Sequence, residues 1–257
     1  MKFREITREL ISLLEKKSGY PVQVLEEPGL STIASIQIAR GNIPSHILYF
    51  RPSPGTLPDY AICWQCVFAM RMFECPPEKR VQIASIPSGE KIVEKLLING
   101  IGRKLRLSQT QIETLKQQLY SGIITHLRSV PIGFRVVSWL GNNYPQLRDL
   151  ELSFAEQELK MGDESRNPRV RDIIPPEIYL PTNYINAAHA IYWAERLEKP
   201  SLINPYRLMD MESHGRKLLE IIDSVPDNPL QDRDMIDNLA EQLQIQDWYI
   251  WVPYTAP

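Results

Sequence analysis

The residues best equipped for chemistry fall in a few short stretches. Cys63 and Cys66 form a C-x-x-C pair, and Cys75 and His46 are further metal-ligating types. Such a pair is redox-active when it opens a helix, where the dipole and exposed amides lower the first thiol's pKa. Here it follows Asp59-Tyr60-Ala61-Ile62 and falls a turn or more inside an apolar helix. Free cysteines in that setting behave as small hydrophobes. Cys63, Cys66, Cys75 and His46 make a Cys3His set by type, but helical rise separates Cys66 from Cys75 by about a dozen ångströms. No metal or other cofactor is therefore expected. Asp210, Glu212 and His214 are near enough in sequence to supply acid–base chemistry. On one helix, Asp210 and His214 stand one turn apart, and an i, i+4 ion pair explains them equally well.

Two basic clusters could touch phosphates: Arg103, Lys104 and Arg106, and Arg166, Arg169 and Arg171. They read equally as solvated loop charges, and no aromatic interleaving marks a single-strand groove. His189 lies on an apolar helix and reads as a hydrogen-bonded core or boundary histidine. There is no Gly-x-Ser-x-Gly elbow or P-loop, and Gly100-Ile101-Gly102 lacks the third glycine and preceding strand of a dinucleotide site. Trp248, Tyr249, Trp251 and Tyr254 crowd one tail segment. Aromatics bury roughly 150–250 Å² each when packed, so this cluster covers its own domain or anchors a partner chain.

The elements that must position these residues follow from periodicity. Residues 3–17 place Phe3, Ile6, Leu10, Leu13 and Leu14 on one helical face, with Gly19 as the stop. Three short strand-like runs follow at 21–25, 31–39 and 45–51, separated by turn residues. A helix over 58–74 is apolar nearly all round and should be buried, with Trp64 and Phe68 inside. Helices are expected at about 88–97, at 108–128 from a Ser108/Gln111 capping box, and twice within 131–160, broken near Gly141-Asn142-Asn143. Residues 161–181 read as a linker or extended loop. Further helices are expected at about 183–197, 204–224 and 232–243, then an extended tail. The 21 prolines cluster at Pro76-Pro77, Pro175-Pro176 and Pro181, where they read as punctuation between elements. The expected class is α+β, mainly helical, with a small N-terminal sheet of about three strands. The first region spans residues 1–160, and a mainly helical region spans 170–257, docked on the first or continuous with it as one domain.

The order helix, three strands, buried helix resembles the N-terminal half of the minimal zincin metallopeptidases. In that family the buried helix carries a pattern like D-Y-x-I-x-H-E-x-x-H. Two histidines one turn apart bind zinc, and the glutamate activates the metal-bound water. Against that pattern, Asp59-Tyr60-Ala61-Ile62-Cys63-Trp64-Gln65-Cys66-Val67-Phe68 puts Trp64 at the first histidine, Gln65 at the glutamate and Phe68 at the second histidine. Leu150-Glu151-Leu152-Ser153-Phe154-Ala155 is similar to the E-x-x-x-F-A helix of the family's third ligand, which places Glu151 there. Indole and phenyl rings do not ligate zinc, glutamine takes no proton at neutral pH, and one carboxylate does not hold a metal. The resemblance implies a catalytically inactive relative that serves as a protein-interaction or regulatory module. It covers residues 1–75, extends to 160 if Glu151 is included, and is silent on the C-terminal region.

Composition agrees with a folded chain. The sequence has 257 residues, 43% hydrophobic and 23% charged, with a net charge of −2. It carries no global basic field for nucleic acid. Three cysteines argue against a disulfide scaffold. The first residues lack the apolar run of a signal peptide, and the longest apolar run is about eleven residues against the roughly 20 that span a bilayer. A cytoplasmic location is expected.

Overall fold

The computed structural model describes residues 3–52, 57–102, 105, 107–162 and 164–257. It is a mainly helical α+β protein. The chain divides into two compact units, each assembled from separate stretches. The first comprises Met1–Gln82, Ile132–Gln157 and Pro253–Pro257, and the second Ile83–Pro131 and Glu158–Val252. The boundary expected near residues 160–170 is thus corrected. Residues 83–131 belong with the C-terminal region because they pack around Trp248. The Tyr120 hydroxyl donates to the Trp248 carbonyl, and Gly89 lies so close to that carbonyl that a Cβ would stand 2.5 Å away.

The first unit opens with α1 (Glu5–Ser18), which buries Thr7, Leu10 and Leu14. Gly19 ends it at φ 81°, a left-handed conformation, and its N–H reaches the Glu15 carbonyl at 2.8 Å. Three strands follow: β1 (Val22–Glu26), β2 (Ala34–Gln37) and β3 (His46–Phe50). The sheet order is β1-β3-β2, with β1 parallel and β2 antiparallel to the central β3. On β3, His46, Leu48 and Phe50 are buried and the residues between them half-buried, the period-2 pattern of a strand with one covered face. Helix α2 (Leu57–Glu74) packs on α1, β2 and β3. Tyr60, Ile62, Cys63, Cys66, Val67 and Met70 are all buried, so α2 is the core helix its composition predicts.

The second unit begins with β4 (Val81–Ser85), at the unit boundary, and α3 (Pro87–Leu97). Helix α4 (Gln109–Asn143) starts at the expected capping box, with the Ser108 N–H donating to Gln111 Oε1 and the Gln111 N–H to Ser108 Oγ. It runs through Pro131, and the chain passes from the second unit to the first within it. Helix α5 (Arg148–Met161) follows the break after Asn143. The expected linker at 161–181 is corrected. It holds α6 (Pro168–Ile173) and the start of α7 (Pro176–Arg196). Asn167 caps α6 by accepting from the Arg169 N–H at 3.0 Å. Pro175-Pro176 separates α6 from α7, the expected punctuation, but Pro181, like Pro131, lies inside a helix. The helix expected over 204–224 is divided into α8 (Asn204–Arg207) and α9 (Glu212–Ser224) by a turn in which Asp210 takes φ 57°. Helix α10 (Asp232–Gln242) and β5 (Tyr249–Pro253) complete the chain, and β5 pairs with β4, a strand not anticipated from sequence. Helix α9 crosses α7 at Gly215, where a Cβ would stand 2.8 Å from the Ala188 nitrogen.

Candidate functional site

The helix α2 residues Trp64, Gln65 and Phe68, aligned in sequence with the zincin pattern, share one half-buried face. Trp64 and Phe68, one turn apart, stack with ring centroids 5.1 Å apart and planes 15° apart. Both are half-buried, which corrects the expectation that they are interior. The indole edge rests on α4, where a Cβ on Gly133 would come within 2.9 Å of Trp64 Cζ2. Gln65 Nε2 donates to the Ala34 carbonyl of β2 at 2.9 Å.

That contact fixes what β2 still offers. The Arg51 N–H donates to the Ile33 carbonyl at 2.9 Å, which marks residues 33, 35 and 37 as the hydrogen-bonded positions against β3. Ala34 and Ile36 therefore turn their amide groups to the outer edge. Gln65 and the Thr32 hydroxyl occupy the Ala34 carbonyl. Among the described residues, Ile36 meets no backbone partner on that side.

Glu151 lies in the first turn of α5, is only 2% exposed, and has Arg148 Nη1 at 3.8 Å. Three residues on, Phe154 packs on Tyr60 of α2 with centroids 4.8 Å apart. The structure thus places α5 against α2 in the same unit. Asp59 forms the support of the site. Its Oδ1 accepts from the Arg4 N–H at 2.8 Å and from Thr7 Oγ1 at 2.6 Å, tying the first turn of α2 to the start of α1. Sequence reading noted Asp59 only as part of a pattern; a lone acid opening an apolar helix was the available signal.

Neither redox nor zinc chemistry is supported at the cysteines. Burial pushes the Cys63 thiol up to about 12, partly offset by its hydrogen bond to Thr7, and burial raises Cys66 well above the usual thiol range. All three cysteines are buried thiols outside any disulfide. His46 is a core histidine. Its Nδ1 accepts from the Ala39 N–H at 3.1 Å, which leaves Nε2 to donate to Ser18 Oγ at 2.9 Å. Burial lowers its pKa to about 4, against a smaller raising effect of Glu15. Among the described residues, no group of three or more His, Cys, Asp or Glu side chains could hold a metal ion.

The other candidates lie in the second unit. Asp210 is exposed and precedes α9, so the i, i+4 geometry with His214 is corrected. Glu212 is gripped by Arg207 at 2.7 Å and Arg216 at 2.8 Å, and these hydrogen bonds hold its carboxyl below the usual range. A carboxylate kept ionised this way is a poor proton donor. His214 is exposed and stacks on Tyr184 at 4.1 Å. Arg103, Lys104 and Arg106 lie outside the described residues.

In the tail, Trp248 and Tyr249 take the first of the two expected roles and are buried in their own unit. Desolvation explains why: the large rings fill the core while Asp237 Oδ1 accepts from Tyr249 Oη and Trp251 Nε1, both at 2.7 Å. Trp251 and Tyr254 are half-buried, and the Tyr254 hydroxyl donates to the Ala39 carbonyl.

Several polar groups of the second unit were not singled out as a site. Glu158 is pushed up to about 7 by burial, and burial lowers His126. His189 falls to about 4 through burial and the neighbouring His126, and its Nε2 accepts from Trp193 Nε1 at 2.9 Å. The buried Tyr179 hydroxyl has no hydrogen-bond partner. Of these, the fold brings His126 and His189, 63 residues apart in sequence, close enough to interact.

No protein-family model matches the chain, and no curated protein sequence or solved structure is significantly similar to it. Among the described residues, no helix is long and apolar enough to cross a membrane.

Proposed function

We propose that the first unit is a metallopeptidase-like module that has lost its metal chemistry and binds an extended segment of another protein chain. The observation that carries this reading is the bonding of the Gln65 side chain, the residue that the sequence pattern aligns with a zincin glutamate. It is hydrogen-bonded to edge strand β2 at 2.9 Å and so serves structure, not proton transfer. The element order α1, β1, β2, β3, α2 supports the same descent. The outward amide groups of Ile36 supply backbone hydrogen bonds for a strand added to the sheet. The Trp64–Phe68 stack supplies an aromatic face on the neighbouring helix for that segment's side chains. The role is that of an interaction or regulatory module.

The test is native mass spectrometry of the protein purified from its source cells, run beside an Ile36→Pro variant. Proline is tolerated on an edge strand when its missing N–H faced outward. The wild type should carry a stoichiometric protein partner and no zinc. The variant should keep its fold by circular dichroism and bind that partner about tenfold more weakly or worse. One tightly bound zinc with chelation-sensitive peptidase activity would overturn the proposal. So would equal partner binding by both proteins.

A further inference from the structure

At one position the outer edge of β2 offers only half of a backbone hydrogen-bonding pair. Ala34 and Ile36 both turn their amide groups outward, because residues 33, 35 and 37 bond to β3. They differ in what is already taken. The Ala34 carbonyl accepts from Gln65 Nε2 at 2.9 Å and from the Thr32 hydroxyl at 3.1 Å, which uses both of its lone pairs. Among the described residues, the Ala34 N–H meets no backbone acceptor, and Ile36 meets no backbone partner on that side through either group. The edge therefore presents a donor and an acceptor at Ile36, but a donor alone at Ala34. Thr32 is exposed and Ile36 half-buried, so the stretch borders solvent. Ala34 lies between them, its methyl group on the covered face opposite the buried Phe50.

An added antiparallel strand must match that pattern. At such positions, residues directly opposite each other exchange two hydrogen bonds. The segment residue opposite Ile36 can make both. The residue opposite Ala34 comes two positions nearer the segment's C-terminus. It can accept from the Ala34 N–H, but its own N–H would point at a carbonyl already filled, and a donor desolvated without an acceptor weakens binding. Proline is the one coded residue with a carbonyl and no N–H. It is tolerated on edge strands and keeps the residue before it extended.

The faces follow from the pairing. Ile36 and Ala34 lie opposite Leu48 and Phe50, both buried on the side against which α2 packs. Side chains directly opposite share a face. Segment residues opposite Ile36 and Ala34 therefore point to the same side, that of the Trp64–Phe68 stack on α2. The residue between them points away. An aliphatic side chain and a proline ring suit that aromatic side.

We propose that Gln65, with Thr32, is a specificity-determining residue, and that the segment bound on β2 carries the pattern aliphatic-x-proline, with the aliphatic residue opposite Ile36 and the proline opposite Ala34. This specificity rests on the strand-addition reading of the same edge.

The test is selection of a randomised displayed peptide library on the full chain, then fluorescence anisotropy with one selected peptide made synthetically. Selected peptides should share aliphatic-x-proline. Alanine in place of the peptide's proline should weaken binding about tenfold. N-methylalanine, which lacks the N–H but has no ring, should stay within about threefold of proline. Gln65→Met combined with Thr32→Val empties the Ala34 carbonyl, and the alanine peptide should then bind within about threefold of the proline peptide. A library that yields no binder, or binders held equally well by Ile36→Pro, would overturn strand addition and this specificity with it. Binders lost on Ile36→Pro but without a proline preference would overturn this specificity alone. An N-methylalanine peptide as weak as the alanine one would do the same, because the ring packed on Trp64 and Phe68 would then supply the preference. So would a proline advantage that persists in the double variant. The N-methylalanine comparison uses the unaltered protein and decides the matter even if the double variant misfolds.

Discussion

Each unit is organised on one apolar helix, α2 in the first and α7 in the second, but the two differ in what their polar groups have found. On α2, Asp59 accepts from Arg4 and Thr7, Cys63 donates to Thr7, and Gln65 donates to β2. Around α7, the Tyr179 hydroxyl and His126 Nδ1 are buried without hydrogen-bond partners. Buried polar groups are almost always paired, and Asp59, Cys63 and Gln65 follow that rule by tying α2 to α1 and β2. Polar atoms thus tie α2 to its neighbours, and do not do so at these two positions of the second unit.

Acid should give the largest effect and reach both units. His46 in the first and His189 in the second titrate near 4 when folded, against an ordinary value of 6.5. The unfolded chain therefore binds more protons between about pH 4 and 6.5. The stability tied to keeping these rings neutral is complete above about pH 6.5, declines as pH falls through that window, and is gone below about 4. Each ring contributes on the order of 3 kcal/mol. Urea denaturation at pH 7, 5.5 and 4 should show the midpoint falling at each step. A midpoint unchanged down to pH 4 would mean the rings reach water in the folded state.

Next in size is Asp59→Ala. It strips the acceptor from the buried Thr7 hydroxyl and the Arg4 N–H, and should cost about 2–4 kcal/mol in urea unfolding. Asp59→Asn keeps an acceptor and should recover about half. A cost under about 0.5 kcal/mol would remove Asp59 as the tie between α1 and α2.

The smallest contrast sets two glycines against each other. A Cβ at Gly215 meets α7 backbone, the Ala188 nitrogen at 2.8 Å and the Ala187 carbonyl carbon at 2.9 Å. At Gly133 it meets only the edge of the half-buried Trp64 indole at 2.9 Å. Backbone cannot yield as a side chain can, so Gly215→Ala should destabilise by about 2 kcal/mol. Gly133→Ala should stay within about 1 kcal/mol of wild type, since alanine's helix propensity offsets the displaced indole. Comparable losses at both would mean the Trp64–Phe68 stack is as rigid as the helix crossing.

Local chemistry made much of the first unit legible in sequence. The heptad-like spacing of Leu10 and Leu14, the strand at 46–50 and the uniformly apolar run before Glu74 each speak through neighbours a few residues away. The Ser108/Gln111 box was legible for the same reason. What sequence reading lost depended on tertiary context. Pro131 and Pro181 continue helices because packing outweighs their local cost. Val81–Ser85 becomes a strand only because residues 249–253 pair with it, and no local signal announces a partner about 170 residues away. Trp64, Gln65 and Phe68 could be placed on one helix, but not the bond from Gln65 to β2. The surroundings of Tyr179 could not be read at all, because an absent hydrogen bond leaves no trace in a sequence.

The division of the chain bears on its synthesis. Residues 253–257 belong to the first unit, where the Gly41 N–H donates to the Thr255 carbonyl and the Tyr254 N–H to the Arg80 carbonyl. About 170 residues separate them from Gln82. At the roughly 5–20 residues per second of translation, the nascent sheet and its helix wait about 10–30 s for their final segment. The open edge of β2 passes that interval in a unit still incomplete, when a passing extended chain has its first opportunity to add to it.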